Sequence, residues 1–376
     1  DQLQSAFRSL EMIPQHIFAF DLAGDITHLQ PGRFPIRKGF NGDIPLEGGD
    51  KKYKWSGYIP SEKMPYSKNP EAGFANNSNN FPPIDTGIDL GTTFPRAARF
   101  ERVREILSSR DDFTIDDMKK MQTDTLNPVA RETLPLLLDR IKNLDTDAIK
   151  NEIKLLKTWD FNESPDSIAA TIYNQWWIEL PSHLFNKKMG LFVLSYRDYM
   201  DQYSIVLMNL LKNTESAKLW DWLEFENIEQ FDRLLLTALE IALDDLKEKY
   251  GDNRDDWAWG KVHLTHFAHP SGVEFLVDGG SYGVGGSHYT LNVTHYFPSQ
   301  GYEATFGASY RFIATIDENN RIIAKSVLPP GNWSAPLSPH FKDQINMWAR
   351  GELKNLIVYS YKMSQLPVVA ILEHKE

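Results

Sequence analysis

The spacing of apolar and polar residues changes twice along the chain. Over residues 1–98, short apolar runs are separated by Gly, Pro and Asn, a pattern typical of strands joined by turns. Residues 17–21 and 26–29 form the clearest predicted hairpin, across the turn Ala23-Gly24-Asp25. The stretch 31–91 that follows is long and irregular. Loops of that length are uncommon unless they line a functional site.

Helical spacing dominates residues 99–250, and strand-like runs return after residue 252. The predicted helices are 99–107, 114–125, 145–156, 164–179, 198–212, 228–249 and 340–349. The late predicted strands are 289–296, 311–316, 321–327, 356–359 and 368–372. This order predicts an α+β fold in three regions. Residues 1–98 form the sheet-and-loop part of a core, 99–250 a helical block, and 251–376 the strands that complete the core.

Composition narrows the chemistry that the chain can perform. The 376 residues include no cysteine, which excludes a thiol nucleophile, a thiolate zinc site, an iron–sulfur cluster and disulfides. The net charge of −11 argues against a nucleic acid partner, because phosphate backbones are bound by clustered Lys and Arg. No run of 18 apolar residues occurs, so no membrane span is predicted.

Three motifs suggest sites but have simpler structural interpretations. His263, His266 and His269 could be metal ligands, yet the surrounding residues favour a strand or loop in which three-residue steps alternate faces. Buried or hydrogen-bonded histidines are the favoured interpretation. The glycine-rich stretch 279–287 favours a turn or close backbone approach over a phosphate loop. Ser338 and His340 could form a catalytic pair, but the favoured interpretation of Ser338 is a helix N-cap.

The segment 73–80 contains four asparagines, Asn76, Asn77, Asn79 and Asn80. Asparagine is depleted in strands, so the cluster needs a polar purpose. Its side-chain amides could donate hydrogen bonds to a developing oxyanion, or the segment could be a turn-rich loop with residues in the left-handed conformation. Composition alone does not separate these two interpretations.

Several stretches together resemble the penicillin acylase family of N-terminal-nucleophile amide hydrolases. They follow the family's order over essentially the whole chain. The matching stretches are Asp21-x-x-Gly24-Asp25-Ile26, Gly32-x-x-Pro35-x-Arg37, Trp55-Ser56-Gly57-Tyr58-Ile59-Pro60, 73–80, Arg99-x-x-Arg102-Val103, Trp257-x-Trp259-Gly260-x-x-His263 and Ser338-Pro339-His340-Phe341. One departure is Asp25, where the family usually has Asn.

The resemblance implies a fold and a set of site residues. The fold would be the αββα sandwich of N-terminal-nucleophile hydrolases, incomplete in this chain, with a helical block. Asn79 would supply the oxyanion-hole amide, and Arg102 would help to orient the substrate or the surroundings of the nucleophile. No cofactor is required for catalysis in the family. Many members hold a structural calcium ion, for which Asp89 would be a ligand.

The resemblance also implies that the catalytic serine lies outside this chain. The first residues resemble the interior of the family's β chain, and Asp1 is not a nucleophile of this kind. We therefore expect the C-terminal part of a β chain, inactive alone, whose partners are the N-terminal part of that chain and the α chain of the same precursor.

The substrate implied for the parent enzyme is a small N-acyl amide such as a penicillin or an N-acyl homoserine lactone. The implied location is the periplasm or the outside of the cell. Two alternatives remain at this stage: a non-catalytic ligand-binding module, and a degenerate acylase without hydrolase activity.

Overall fold

A computed structural model describes residues 2–81, 90–91, 94–212, 217–267, 280–333, 335 and 337–358. The chain divides into two compact units, residues 1–111 and 112–376. The structure does not test the three-region division predicted from the sequence. Within the described part of the chain, none of the helices combines the length and the apolar character needed to span a bilayer.

The described residues of the first unit form a small antiparallel sheet and two helices. The elements are α1 (Gln2–Phe7), β1 (Ile17–Phe20), β2 (Ile26–Leu29), β3 (Tyr66–Lys68) and α2 (Ala98–Leu107), with 3-10 turns at Lys51–Tyr53 and Ser61–Lys63. The sheet order is β1-β2-β3. The predicted hairpin is confirmed, because Phe20 pairs with Ile26. Its turn is held by Asp21 Oδ1, which accepts hydrogen bonds from the N–H groups of Ala23 and Asp25 at 2.9 and 3.1 Å.

The second unit is a helical block followed by short strands. Its helices are α3 (Ile115–Gln122), α4 (Pro128–Ile141), α5 (Lys150–Thr158), α6 (Ile168–Met189), α7 (Phe192–Tyr196), α8 (Met200–Lys212), α9 (Ala217–Leu223), α10 (Ile228–Tyr250), α11 (Trp259–Val262) and α12 (Ile345–Ala349). Its strands are β4 (Leu264–His266), β5 (Ser281–Gly283), β6 (Thr294–His295), β7 (Phe306–Gly307), β8 (Arg311–Ile316), β9 (Ile322–Val327) and β10 (Lys354–Leu356). Antiparallel pairing gives the sheets β10-β9-β8, β4-β5 and β6-β7.

Helix α6 is the centre of the helical block. Ile172, Trp176 and Leu180 are fully buried, and almost every residue from Ala169 to Ile178 is buried as well. A helix that is buried on all faces has neighbours on all sides. It packs against α10, where the indole N–H of Trp176 donates to the carbonyl oxygen of Leu235 at 3.0 Å. The core of this unit therefore surrounds α6.

Local patterns in the sequence predict the helices α2, α3, α5, α6, α8, α10 and α12, but not α4, α7, α9 and α11. The capping box at Thr114 is confirmed, because its side chain accepts from the N–H of Asp117 and the Asp117 carboxylate accepts from the N–H of Thr114. Helix α4 contains Pro135, a residue that disfavours helix interiors. Asn127 caps α4 by accepting from the N–H of Ala130 at 2.9 Å.

Three predictions near the C-terminus are wrong. The predicted strand 356–359 overlaps β10 (Lys354–Leu356) only at Leu356, and residues 357–358 are not part of a strand. The predicted strand 289–296 is mostly turn, and only Thr294–His295 pairs as a strand. The N–H of Ser287 donates to Thr290 Oγ1 at 2.9 Å, so a side chain takes a backbone partner that a sheet would otherwise supply. Ser338 caps no helix, because α12 begins later and Ser338 Oγ accepts only within a turn, from the N–H of His340. The predicted strand 368–372 lies outside the described residues.

Candidate active site

The asparagine-rich segment is a loop that precedes α2 in the first unit. Asn79 has a φ of 66°, in the left-handed region that asparagine tolerates better than most residues. Its backbone N–H donates to Asn77 Oδ1 at 2.9 Å, so the turn is closed by a neighbouring side chain. The side chain of Asn79 is exposed. The loop therefore fixes the backbone at Asn79 and presents its carboxamide to solvent.

The neighbouring asparagines build the loop instead. Asn76 Nδ2 donates to the carbonyl oxygen of Phe100 at 3.1 Å, which ties the loop to α2. Asn80 is buried, and its side chain accepts from the N–H of Ser78 at 3.0 Å and donates to the carbonyl oxygen of Phe81 at 2.8 Å. The interpretation as a turn-rich loop is therefore confirmed, with Asn79 in the left-handed conformation. The role of Asn79 as an oxyanion donor stays a prediction.

Helix α2 supplies the cationic groups beside this loop. Arg99 Nη2 donates to Asn79 Oδ1 at 3.0 Å. Arg102, one helical turn further along, forms an ion pair with Glu105 at 3.1 Å, and its side chain is 15% exposed. Residues three apart lie on one face of a helix, so Arg99 and Arg102 share a face. The motif Arg99-x-x-Arg102 is visible in the sequence, whereas the contact of Arg99 with Asn79 appears only in the folded chain.

The packing of the loop on α2 also involves Arg104. Its guanidinium lies 5.8 Å from the ring centroid of Phe74 and 5.6 Å from that of Phe100. These distances are in the range of cation–π contacts. Phe74 begins the asparagine-rich loop and Phe100 lies on α2, so Arg104 contacts both sides of the junction without contributing to the bond at Asn79.

The predicted calcium ligand, Asp89, lies outside the described residues. Within the part of the chain that is described, no group of three or more His, Cys, Asp or Glu side chains could hold a metal ion. The calcium site therefore stays a prediction.

His263 is a buried structural residue, as the sequence interpretation favoured. Its Nδ1 lies 2.6 Å from the carbonyl oxygen of Tyr302 and its Nε2 lies 3.0 Å from Thr294 Oγ1, so both ring nitrogens have partners. A carbonyl oxygen only accepts, and Nδ1 therefore carries the proton. Burial lowers the pKa of His263 to about 4. His266 is exposed on β4, and His269 lies outside the described residues.

The lowered pKa of His263 predicts a loss of stability in acid. In the unfolded chain the imidazole binds its proton below pH ~6.5, whereas the folded protein resists protonation down to a pKa of about 4. The contribution of His263 to the free energy of unfolding should therefore be fully present above pH ~6.5. It should fall as the pH drops towards 4, by about 2 kcal/mol at pH 5. Urea unfolding at pH 7.5 and pH 5 measures this change.

The matched comparison for this prediction uses a side chain that does not titrate. His263→Gln should show a smaller loss between the two pH values than the unmodified protein, whatever its absolute stability. Equal pH dependence for the two proteins would contradict the prediction.

The glycine-rich stretch is a place of close backbone approach, as predicted. A Cβ on Gly283 would lie 2.1 Å from the carbonyl oxygen of Gly260, and a Cβ on Gly285 would lie 2.8 Å from that of Glu163. Gly286 has a φ of 89°, which favours glycine. These contacts account for the glycines by packing, without a phosphate ligand.

The sequence of the chain is similar to those of known proteins. A model of the penicillin amidase family matches residues 1–365. The chain belongs to the penicillin amidase family. Among curated proteins it is 29% identical over 366 residues to the penicillin acylase 2 proenzyme of Pseudomonas sp. (strain SE83), covering 93% of this chain and 44% of that protein. It is 24% identical over 376 residues to the acyl-homoserine lactone acylase QuiP of Pseudomonas fluorescens (strain Pf0-1), covering 94% and 44%.

Similarity to a solved structure shows the fold. The structure of a thermostable penicillin G acylase from Alcaligenes faecalis superposes with a TM-score of 0.69 at 18% identity, covering 97% of this chain and 68% of that one. This penicillin amidase family member thus has the fold of that acylase, with mixed helices and small sheets. The predicted αββα sandwich stays a prediction. The chain spans less than half the length of the two curated relatives.

Proposed function

We propose that the chain is part of an N-acyl amide hydrolase and that Asn79 provides a hydrogen bond to the oxyanion of the tetrahedral intermediate. The observation that carries this proposal is the Asn79 carboxamide, exposed on a fixed loop with its oxygen turned towards Arg99. An oxyanion hole needs such a donor in a fixed position, because the donor then needs no rearrangement as charge develops. Membership of the penicillin amidase family supports the reaction class.

The proposed reaction takes its nucleophile from a segment beyond these 376 residues. A serine hydroxyl at a free N-terminus attacks the amide carbonyl, and the α-amino group of that serine takes the hydroxyl proton and later delivers it to the departing amine. Asn79 Nδ2 donates to the carbonyl oxygen as it becomes negative. Water then hydrolyses the acyl-enzyme ester. The word proenzyme in the name of one relative, of which this chain covers 44%, supports a processed precursor.

Further parts of the proposal rest on the family resemblance. Arg102 orients the substrate or the surroundings of the nucleophile, and a structural calcium ion is bound with the help of Asp89. The partners are the N-terminal part of the β chain and the α chain of the same precursor, in the periplasm or outside the cell. The names of the relatives support a penicillin or an acyl-homoserine lactone as substrate.

The test compares the complete gene product with the 376-residue chain. Both are incubated with benzylpenicillin and with an N-acyl homoserine lactone, and the released amine is measured by an amine-reactive fluorophore. We expect amine release by the complete product and none by the chain alone. Binding of these amides without turnover would indicate a ligand-binding module instead. A complete product that lacks a Ser, Thr or Cys at a processed N-terminus would indicate a degenerate acylase.

A further inference from the structure

We infer that Arg99 is a positioning residue for the oxyanion donor, because it holds the Asn79 carboxamide with its nitrogen free to donate. This inference rests on the proposed role of Asn79. The contact that carries it is the 3.0 Å hydrogen bond from Arg99 Nη2 to Asn79 Oδ1. Nothing in the family resemblance assigned a role to Arg99, since the implied active-site arginine is Arg102.

The chemistry of the two side chains fixes the orientation of the amide. A carboxamide can rotate by half a turn and exchange its oxygen and nitrogen. Guanidinium is a donor only, so the Asn79 atom that faces Arg99 must be the acceptor Oδ1. The donor Nδ2 is then directed away from Arg99. In the rotated state, Nδ2 would face another donor, and Oδ1 would face the developing oxyanion. Arg99 therefore selects the state that can stabilise negative charge.

The exposure of Asn79 makes this selection important. The bond to Asn77 and the left-handed φ fix the backbone of Asn79, but neither restricts the outer rotation of its side chain. An exposed side chain is not held by packing on all sides. A charge-assisted bond from Arg99 is stronger than a neutral one, and it polarises the amide so that its N–H groups become better donors.

Arg99 is itself held in register with the loop. Asn76 binds the carbonyl oxygen of Phe100, the residue that follows Arg99 on α2. The two hydrogen bonds, from Asn76 to Phe100 and from Arg99 to Asn79, therefore join consecutive residues of α2 to two positions three apart in the loop. The helix thus serves as a rigid base for the orientation of Asn79.

The test is a double-mutant cycle in the complete gene product, with Arg99→Met, Asn79→Ala and the two together. Arg99→Met should lower kcat about tenfold, as expected for loss of a hydrogen bond to a charged group at an exposed position, with KM changed less than about twofold. Arg99→Met should have no further effect on kcat when Asn79 is already alanine. Arg99→Lys should recover part of kcat, because an ammonium group is also only a donor.

The matched control is Arg104→Met, on the same helix and packed against the same loop. It removes the contact with Phe74 and Phe100 but leaves the bond to Asn79. It should keep kcat within about twofold. An equal effect of Arg99→Met with and without Asn79, or no effect at all, would overturn the inference, because Arg99 would then act independently of the amide or not act.

A second measurement separates failure of this inference from failure of the proposed function. With 15N-labelled asparagine, the side-chain NH2 signals of Asn79 are assigned by their loss in Asn79→Ala. Arg99→Met should shift them, whereas Arg104→Met should leave them in place. An active enzyme whose Asn79 signals ignore Arg99 refutes only the positioning role. A protein without hydrolase activity whose signals still move refutes only the proposed function and leaves the anchoring by Arg99 supported.

Discussion

Asn79→Ala in the complete gene product should lower kcat for amide hydrolysis by about 10²–10³-fold, the usual effect of removing one oxyanion-hole donor. The variant removes the exposed carboxamide of Asn79, whose oxygen accepts from Arg99 and whose nitrogen is the proposed donor to the oxyanion. KM should change far less, because the oxyanion exists only in the transition state and the intermediate. Steady-state kinetics with a chromogenic N-acyl amide measures both constants.

The backbone at this position requires a second variant. Asn79 has a φ of 66°, where an alanine is strained by about 1 kcal/mol. Glycine has no such penalty. Asn79→Gly should therefore reproduce the loss of kcat without the strain, and a large loss in alanine alone would point to a distorted loop. Asn79→Asp keeps the acceptor for Arg99 but has no N–H donor, so it should be as slow as alanine.

The control for these variants is an asparagine in another turn of the same unit. Asn41 is exposed and accepts from the N–H of Asp43 at 3.1 Å. Asn41→Ala should leave kcat within about twofold, as surface substitutions usually do. Hydrolysis by Asn79→Gly at the rate of the unmodified enzyme would remove Asn79 from the oxyanion hole.

Local features of this fold were predictable from the sequence, whereas features that depend on distant partners were not. The turn at Asp21 and the capping box at Thr114 are built from residues within four positions of each other, so their chemistry is visible in the sequence. Helix α4 forms despite Pro135, because buried residues such as Leu134 and Leu137 hold it against the core. Tertiary packing of this kind overrides local propensity.

In the candidate site, too, one residue was predictable from the sequence and its partner was not. The sequence indicated Asn79 through its family motif and its asparagine-rich surroundings. The partner of its side chain, Arg99, lies 20 residues away, and only the folded chain brings the two together. The family resemblance implies a role for Arg102 and none for Arg99. The signal that could have found Arg99 is the three-residue spacing from Arg102, which places both on one face of a helix.

Glu163 is the clearest residue that sequence reasoning missed, because a carboxylate is solvated by default. It is fully buried, and its Oε1 accepts hydrogen bonds from Asn127 Nδ2 and Asn174 Nδ2, both at 2.8 Å. Asn174 in turn accepts at Oδ1 from the hydroxyl of Tyr296 at 2.7 Å. The carbonyl oxygen of Glu163 accepts from the N–H of Gly286 at 2.8 Å. One residue thus links the start of α4, the helix α6 and the glycine-rich turn.

Glu163→Ala should destabilise the protein by about 3–5 kcal/mol, since it leaves Asn127 Nδ2 without an acceptor, leaves Asn174 Nδ2 with only the carbonyl oxygen of Ala170, and opens a cavity. Each unpaired buried donor costs about 1–3 kcal/mol. The midpoint of urea unfolding measures the loss. Glu240→Gln, at an exposed position on α10, should stay within about 0.5 kcal/mol of the unmodified protein. A loss below about 1 kcal/mol for Glu163→Ala would contradict the central role of this carboxyl.

Glu163→Gln separates the acceptor from the charge. Burial raises the pKa of Glu163, and hydrogen bonding with Ser287, Asn127 and Asn174 offsets only part of that effect. The folded protein therefore binds this proton more tightly than the unfolded chain, whose carboxyl titrates near pH ~4.3. The contribution of Glu163 to stability is lost as the pH rises above that value, because the unfolded chain releases a proton that the folded protein still holds. Glutamine keeps an Oε1 acceptor and never ionises, so its stability relative to the unmodified protein should rise from pH 5 to pH 8. A relative stability that does not change between pH 5 and pH 8 would mean that Glu163 is already ionised in the folded protein at pH 5.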